Sequence, residues 1–339
     1  LKRHISCEIE VDETGCSDSD ALQRTINEWR DSVVEDGSLN QGGFEINTQP
    51  TSGDRFHEHL TEICDGLSRL NADCTAKCGL HVHVDSRDLS YYDLRRVTLL
   101  YAKVEQALFM LCDPLRLNGG YSAVCGQQLY PENTNPRLYR REIFSKVYCP
   151  PSGGVPRKGL VDLKSSRRDK HGAHNRYRAL NLHSHFHRGS VEFRHHEGTV
   201  NFEDIYNWAL ICAYVVDYSY RHTEQDIQRL PDKAHLALKR VIPQEQWKYA
   251  AKTLHANKNN FQESTLQYFF PAESLEGTRK ALALSSALDL QIQEVGDTWN
   301  NNFITEKEYD YLTAPLRREL RDLKKAYPHL HLLYANGGE

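Results

Sequence analysis

Carboxylate and imidazole side chains stand at alternate positions in several short stretches of the chain. Glu8 and Glu10 do so in CEIEV, Glu45 and Asn47 in GGFEINT, His81, His83 and Asp85 in KCGLHVHVD, and Glu192, Arg194 and His196 in SVEFRHHE. Side chains along a strand alternate between faces, so each stretch presents its polar members together. Behind them stand Cys7, Ile9 and Val11, then Leu80, Val82 and Val84, and then Val191 and Phe193. A sheet face turned to water is expected to carry Lys, Thr, Ser and Arg, whereas these faces are almost wholly Glu, His and Asp. Glutamates crowded on strands about 4.8 Å apart repel one another unless cations offset them. Bound metal is the economical reading, and the weight of carboxylate oxygen favours Mg2+ or Mn2+ over Zn2+. Two or more hard cations held by carboxylates are what phosphoryl transfer requires. Arg194, two residues from Glu192 on the same face, is placed to balance the charge that develops.

Plainer roles are open to the same residues. Glu8 and Glu10 suit a charged edge strand that resists aggregation. The HVH stretch suits an amphipathic strand turned to water, and His83 suits a residue that orients a metal ligand in place of being one. Asp36, in VVEDGSL, suits a cap on the DGS turn. Cys74 and Cys78 form a CxxxC just before the histidines, and with His81 and His83 they would make a zinc site and point to a metal-dependent hydrolase of amides or phosphoesters. Two nucleotide-binding classes are excluded, because the sequence has neither a GxxxxGK[ST] loop nor a kinase-like Gly-rich loop with its companion motifs.

The elements that must position these residues alternate at first. SCEIEVD reads as a strand; DSDALQRTINEWRDSV reads as a helix with Leu22, Ile26, Trp29 and Val33 on one stripe. GGFEINTQP reads as a second strand, and GDRFHEHLTEICDGLSRL as a helix with Phe56, Leu60, Ile63, Leu67 and Leu70 inward. After the HVH strand comes a long helix through Leu94, Val97, Tyr101, Val104, Leu108 and Leu111. RYRALNLHSHF and SVEFRHHEG flank HRGS, whose glycine suits a hairpin connection, and a helix from about 203 to 221 turns Ile205, Trp208, Cys212 and Val215 inward. Beyond Thr223 the chain reads as charged amphipathic helix broken by prolines 231, 243, 271 and 315.

Composition narrows the class. A chain of 339 residues with 39% hydrophobic content and no apolar run near twenty residues buries a sizeable core and carries no helical membrane span. The opening LKRHISCEIE has no apolar signal-peptide core, its Leu1 in place of Met points to trimming or to an artificial boundary, and nine scattered cysteines read as reduced thiols, so the expected compartment is the cytoplasm. The net charge of -4 hides a basic stretch from Arg137 to Arg178, where twelve Lys or Arg face three acidic residues. That stretch includes CPPSGGVPRKG and reads as a loop or lid for an anionic ligand. A non-catalytic nucleic-acid- or peptide-binding protein is the other class it would serve, but its aromatics, Tyr139, Phe144, Tyr148 and Tyr177, are few for stacking on bases, so nucleic acid is not the expected partner.

In this order, the E-x-E strand, the DGS turn with a following glutamate and proline, CGLHVHVD, RYRALNL, VEFRHHEGT and a Trp-containing helix resemble the amidoligase family, relatives of glutamine synthetase and glutamate-cysteine ligase. The resemblance spans roughly residues 5 to 215. It implies an α+β fold: a curved, mainly antiparallel sheet with helices on one face and a metal-lined concave face on the other. The alternation of strands and helices by itself leans toward a parallel sheet. The resemblance further implies an ATP-dependent ligase that joins a carboxylate to an amine through an acyl phosphate, with Mg2+ as cofactor and Mn2+ as substitute. The substrates would be an amino acid, a peptide or a small metabolite. Position by position it implies metal roles for Glu8, Glu10, Asp36, Glu45, His81, His83 and Glu192, catalytic roles for Glu192 and Arg194, and nucleotide contacts from Arg178, Asn181 and Arg194. RHHEGT departs from the Arg-x-Pro-Asp continuation of glutamine synthetase, which bears on substrate recognition. The expected division is a catalytic domain over 1–222, with a basic loop or lid at 113–176, and a helical region over 223–339.

Overall fold

β-Branched and aliphatic residues at every second position draw the first strands into one sheet. The computed structural model describes residues 2–12, 19–26, 31–40, 42–118, 178–231, 233–257, 272–301 and 303–326. Strands β1 (Ile5–Val11), β2 (Ser32–Glu35), β3 (Phe44–Asn47), β4 (Gly79–Asp85), β5 (Leu180–Asn181) and β6 (Ser190–Glu197) form a single open sheet in the order β2-β3-β1-β4-β6-β5. Every pairing is antiparallel, which overturns the parallel lean of the alternation. The reason is topological: α2 (Asp54–Arg69) carries the chain past β1 to its far side, so β1 lies between β3 and β4 and runs against both.

The aliphatic face of the sheet is the core. Ile5, Cys7, Ile9, Leu80, Val82, Val84, Val191 and Phe193 are fully buried there. They pack with α3 (Tyr91–Met110) and α5 (Phe202–Arg221), whose Tyr101, Leu108, Phe109, Ile205, Trp208 and Cys212 are likewise buried. Ser90 starts α3 with a reciprocal capping box to Asp93, satisfying orphan backbone donors at its first turn.

Several elements differ from the sequence reading for physical reasons. α1 spans only Ser19–Ile26, and Val33 lies in β2. The spacing of Leu22, Ile26, Trp29 and Val33 fits a helix, but the β-branched pair Val33-Val34 is paired instead with Ile46 and Glu45 of β3. HSHFHR is a six-residue helix, α4 (His183–Arg188), and Gly189 caps it in the left-handed region at φ 71° in place of turning a tight hairpin. Pro315 sits inside α10 (Glu306–Ala326) and does not break it.

The chain divides into two compact units, Leu1–Asn257 and Lys258–Glu339. The first runs beyond residue 222 and takes in α6 (Glu224–Arg229), α7 (Ala234–Val241) and α8 (Gln244–Asn257), all three packing on α3. The second contains α9 (Ala272–Asn300) paired with α10, with Trp299 stacked on Tyr309 at 4.9 Å between ring centroids. Among the described residues no helix is long and apolar enough to cross a membrane. Residues 119–177, which include all of the basic stretch except Arg178, lie outside the described residues.

Candidate active site

Strand register does most of the assembly. Glu8 lies directly opposite His81, Glu10 opposite Glu45, His83 opposite Glu192, and Glu192 opposite Asn181. Five adjacent strands, β3-β1-β4-β6-β5, thus bring their polar members to the side away from the core. Despite facing away from the helices, Glu8, His81 and Glu192 are only 6%, 4% and 4% exposed.

Glu8 is the hub. Its two carboxylate oxygens lie 2.9 Å from His81 Nδ1 and 3.1 Å from His83 Nε2. Burial pushes the Glu8 carboxyl up, but hydrogen bonds and charge from both histidines outweigh it and hold the group well below the usual carboxylate range. His81 itself is pushed down by burial and by the Arg194 charge. Asn181 Nδ2 donates to Glu192 at 2.7 Å, and Arg194 pairs with the other oxygen of the same carboxylate. Burial opposes ionisation of Glu192, yet His83, Arg194 and His81 together lower it. Ligand atoms of Glu8, His81 and Glu192 all lie within 4.8 Å of one another.

A second group adjoins the first. Glu10, Asp36 and Glu45 also offer ligand atoms within 4.8 Å of one another. Burial pushes Glu10 up to about 7; the Gly79 N–H, donating at 2.6 Å, pulls against this, and the charges of Glu45 and Asp36 add to it. Glu45 is raised by burial and by Glu8, while Asn47 Nδ2 donates to it at 2.7 Å. The Asp36 carboxylate also accepts from the Ser38 N–H at 2.8 Å and so caps its turn.

A bulge in β6 explains what alternation could not show. Arg194 and His195 both oppose His81, since Phe193 pairs with Val82 and His196 with Leu80. His196 therefore leaves the face shared by Glu192 and Arg194, and both histidine rings pack against Trp208 at 5.2 and 5.4 Å. The bulge carbonyls of Arg194 and His195 accept from Arg116 at 3.1 and 3.0 Å. This brings the Arg116 guanidinium to the Glu10 end of the face, where a side chain on Gly79 would lie 3.1 Å from it. At the other end Arg188 pairs with Glu8 and reaches His83 Nε2 at 3.2 Å.

Sequence reasoning missed Arg116 and Arg188, which come from a 3-10 turn (Pro114–Asn118) and from the end of α4. Neither element has a period to read; Arg188 was visible only as part of HRGS. Arg178 is buried just ahead of β5. Cys74 and Cys78 do not join His81 and His83 in any group of ligand atoms among the described residues. Cys74 instead donates to the Glu10 carbonyl at 3.3 Å.

A model of the family described as "putative amidoligase enzyme" matches residues 9–216. The chain belongs to the amidoligase family. The matched stretch of this amidoligase opens inside β1 and closes within α5, so it contains Glu10, Asp36, Glu45, His81, His83, Glu192 and Arg194. Membership marks a ligase-type enzyme, and the family implies a carboxylate and an amine as substrates. A comparison with curated proteins finds no match.

Proposed function

We propose that this amidoligase couples ATP cleavage to amide or isopeptide formation through an acyl phosphate. In this reading Glu8, His81 and Glu192 hold one Mg2+ and Glu10, Asp36 and Glu45 another, with Mn2+ able to substitute. The observation that supports it most is the pair of adjoining ligand groups, one buried and one half-buried, in an amidoligase. Five of their six members are carboxylates, the donor set of a hard cation. Opposite donors of an octahedral Mg2+ stand about 4.2 Å apart, close to the spread within each group. When bound, the cations would supply Lewis acidity and neutralise phosphate oxygens.

The chain's own residues have separate tasks. His83 holds Glu8 in place, with its Nδ1 2.9 Å from Ser190 Oγ, and Asn181 does the same for Glu192. Arg194, now paired with Glu192, offers its guanidinium to the charge that develops as a phosphoryl group moves. Activation is needed because a free carboxylate repels a nucleophile and has oxide as its leaving group; phosphorylation provides a better one. Arg178 and Arg194 would serve the nucleotide phosphates.

The test is isotopic. With 18O in the acid's carboxylate, one labelled oxygen is expected in the released phosphate, and hydroxylamine should trap the activated acid as a hydroxamate. Label retained wholly in the product, or found only in AMP, contradicts the reading. Arg194→Ala should lower kcat by about 100-fold, with a smaller effect on nucleotide binding.

A further inference from the structure

At the His83 end of the acid face the sheet opens into a cavity of about 240 Å3, lined among others by Ser6, Glu8, His83, Asp85, Arg87 and Arg188. A liquid water takes about 30 Å3, so the space accommodates about eight waters or a compact ligand of similar bulk. The lining is polar and balanced, with two guanidiniums, Arg87 and Arg188, against two carboxylates, Glu8 and Asp85.

The two guanidiniums differ in what holds them. Arg188 spans Glu8 and His83 at the acid face yet keeps its side chain 58% exposed. Arg87, 70% exposed, is clamped to Asp85 through two contacts of 2.8 Å. Gly189 lies on the wall beside them. Gly189 has φ 71°, and a side chain there would come within 2.6 Å of Arg87 Cγ. The Ser86 N–H donates to the Gly189 carbonyl at 2.8 Å, and Ser86 Oγ lies 2.8 Å from His185 Nδ1.

We propose that this cavity is the acid-substrate site and that the acid is a compact zwitterion of amino-acid size. Its reacting carboxylate is held by Arg188 beside Glu8, and its ammonium group by Asp85. This assignment rests on the ligase reading, since it places the carboxylate next to the residues that would activate it. It names Arg188 as a substrate-binding residue and makes a free small molecule, not a peptide, the acid partner.

The test is calorimetry on the full chain with Mg2+ and no nucleotide, using β-alanine, L-aspartate and L-glutamate as probes. A blocked tripeptide with a central glutamate serves as the size control and succinate as the charge control. At least one zwitterion should bind with one-to-one stoichiometry and more tightly than either control. Arg188→Ala should weaken it about tenfold or more, the loss of one charge-assisted contact, with partial recovery in Arg188→Lys. Asp85→Asn should reduce the preference over succinate. The proposal is overturned if none of the three zwitterions binds, if Arg188→Ala binds as tightly as wild type, or if the blocked tripeptide binds best. Because no ATP is present, these outcomes are independent of the isotope experiment, which judges the ligase reading separately.

Discussion

The Glu10 carboxyl, pushed up to about 7 chiefly by burial, makes the second ligand group a proton store at neutral pH. Its folded-state value lies above the ordinary carboxylate value, so the stability it contributes is full below about 4.5 and is lost as pH rises through 7. A cation arriving among Glu10, Asp36 and Glu45 needs the ionised form and must displace that proton. Mg2+ binding at pH 6.5 is therefore predicted to release protons, seen as a binding enthalpy that varies with the ionisation enthalpy of the buffer. Glu10→Gln should abolish the variation; an enthalpy independent of buffer in the wild type would count against a cation at this group.

β6 shows what an element adds to its residues. Its bulge sends Arg194 to the acid face, exposes two carbonyls to Arg116, and turns His195 and His196 toward Trp208. Burial, with the charges of Arg116 and His196, pushes His195 down to about 3. A histidine depressed in this way contributes stability that is present above about 6.5 and is lost as pH falls toward 3. Between pH 6.5 and 5 the loss is of order 2 kcal/mol, and His195→Phe should flatten it, measured as urea midpoints across that range. An unchanged slope in the variant would remove His195 from the account. The acid faces of β1, β3, β4 and β6 were legible in the sequence because a period of two sorts Glu8 from Ile9 and His81 from Val82. Register was not legible, since nothing local states that Glu10 meets Glu45. Nor was the bulge, because strict alternation keeps His196 beside Arg194. β2 was concealed by an apolar spacing that fits a helix equally well, and the arginines at 116 and 188 arrive from short elements without periodicity.

The whole molecule keeps every residue of both ligand groups inside its first compact unit, Leu1–Asn257. A chain ending at Asn257 is accordingly predicted to unfold in one cooperative transition and, on the two-cation proposal, to be stabilised by Mg2+ as much as the full chain, both read by thermal denaturation with and without EDTA. Loss of cooperative unfolding on truncation would show that the second unit is needed for the first. The most direct test of the two-cation face is diffraction from crystals soaked with Mn2+ and a non-hydrolysable ATP analogue, collected for anomalous signal. Two Mn2+ peaks are predicted, one within bonding distance of Glu8, His81 and Glu192 and one within bonding distance of Glu10, Asp36 and Glu45. Full-occupancy Mn2+ bound elsewhere, with neither group ligating an ion, would contradict it.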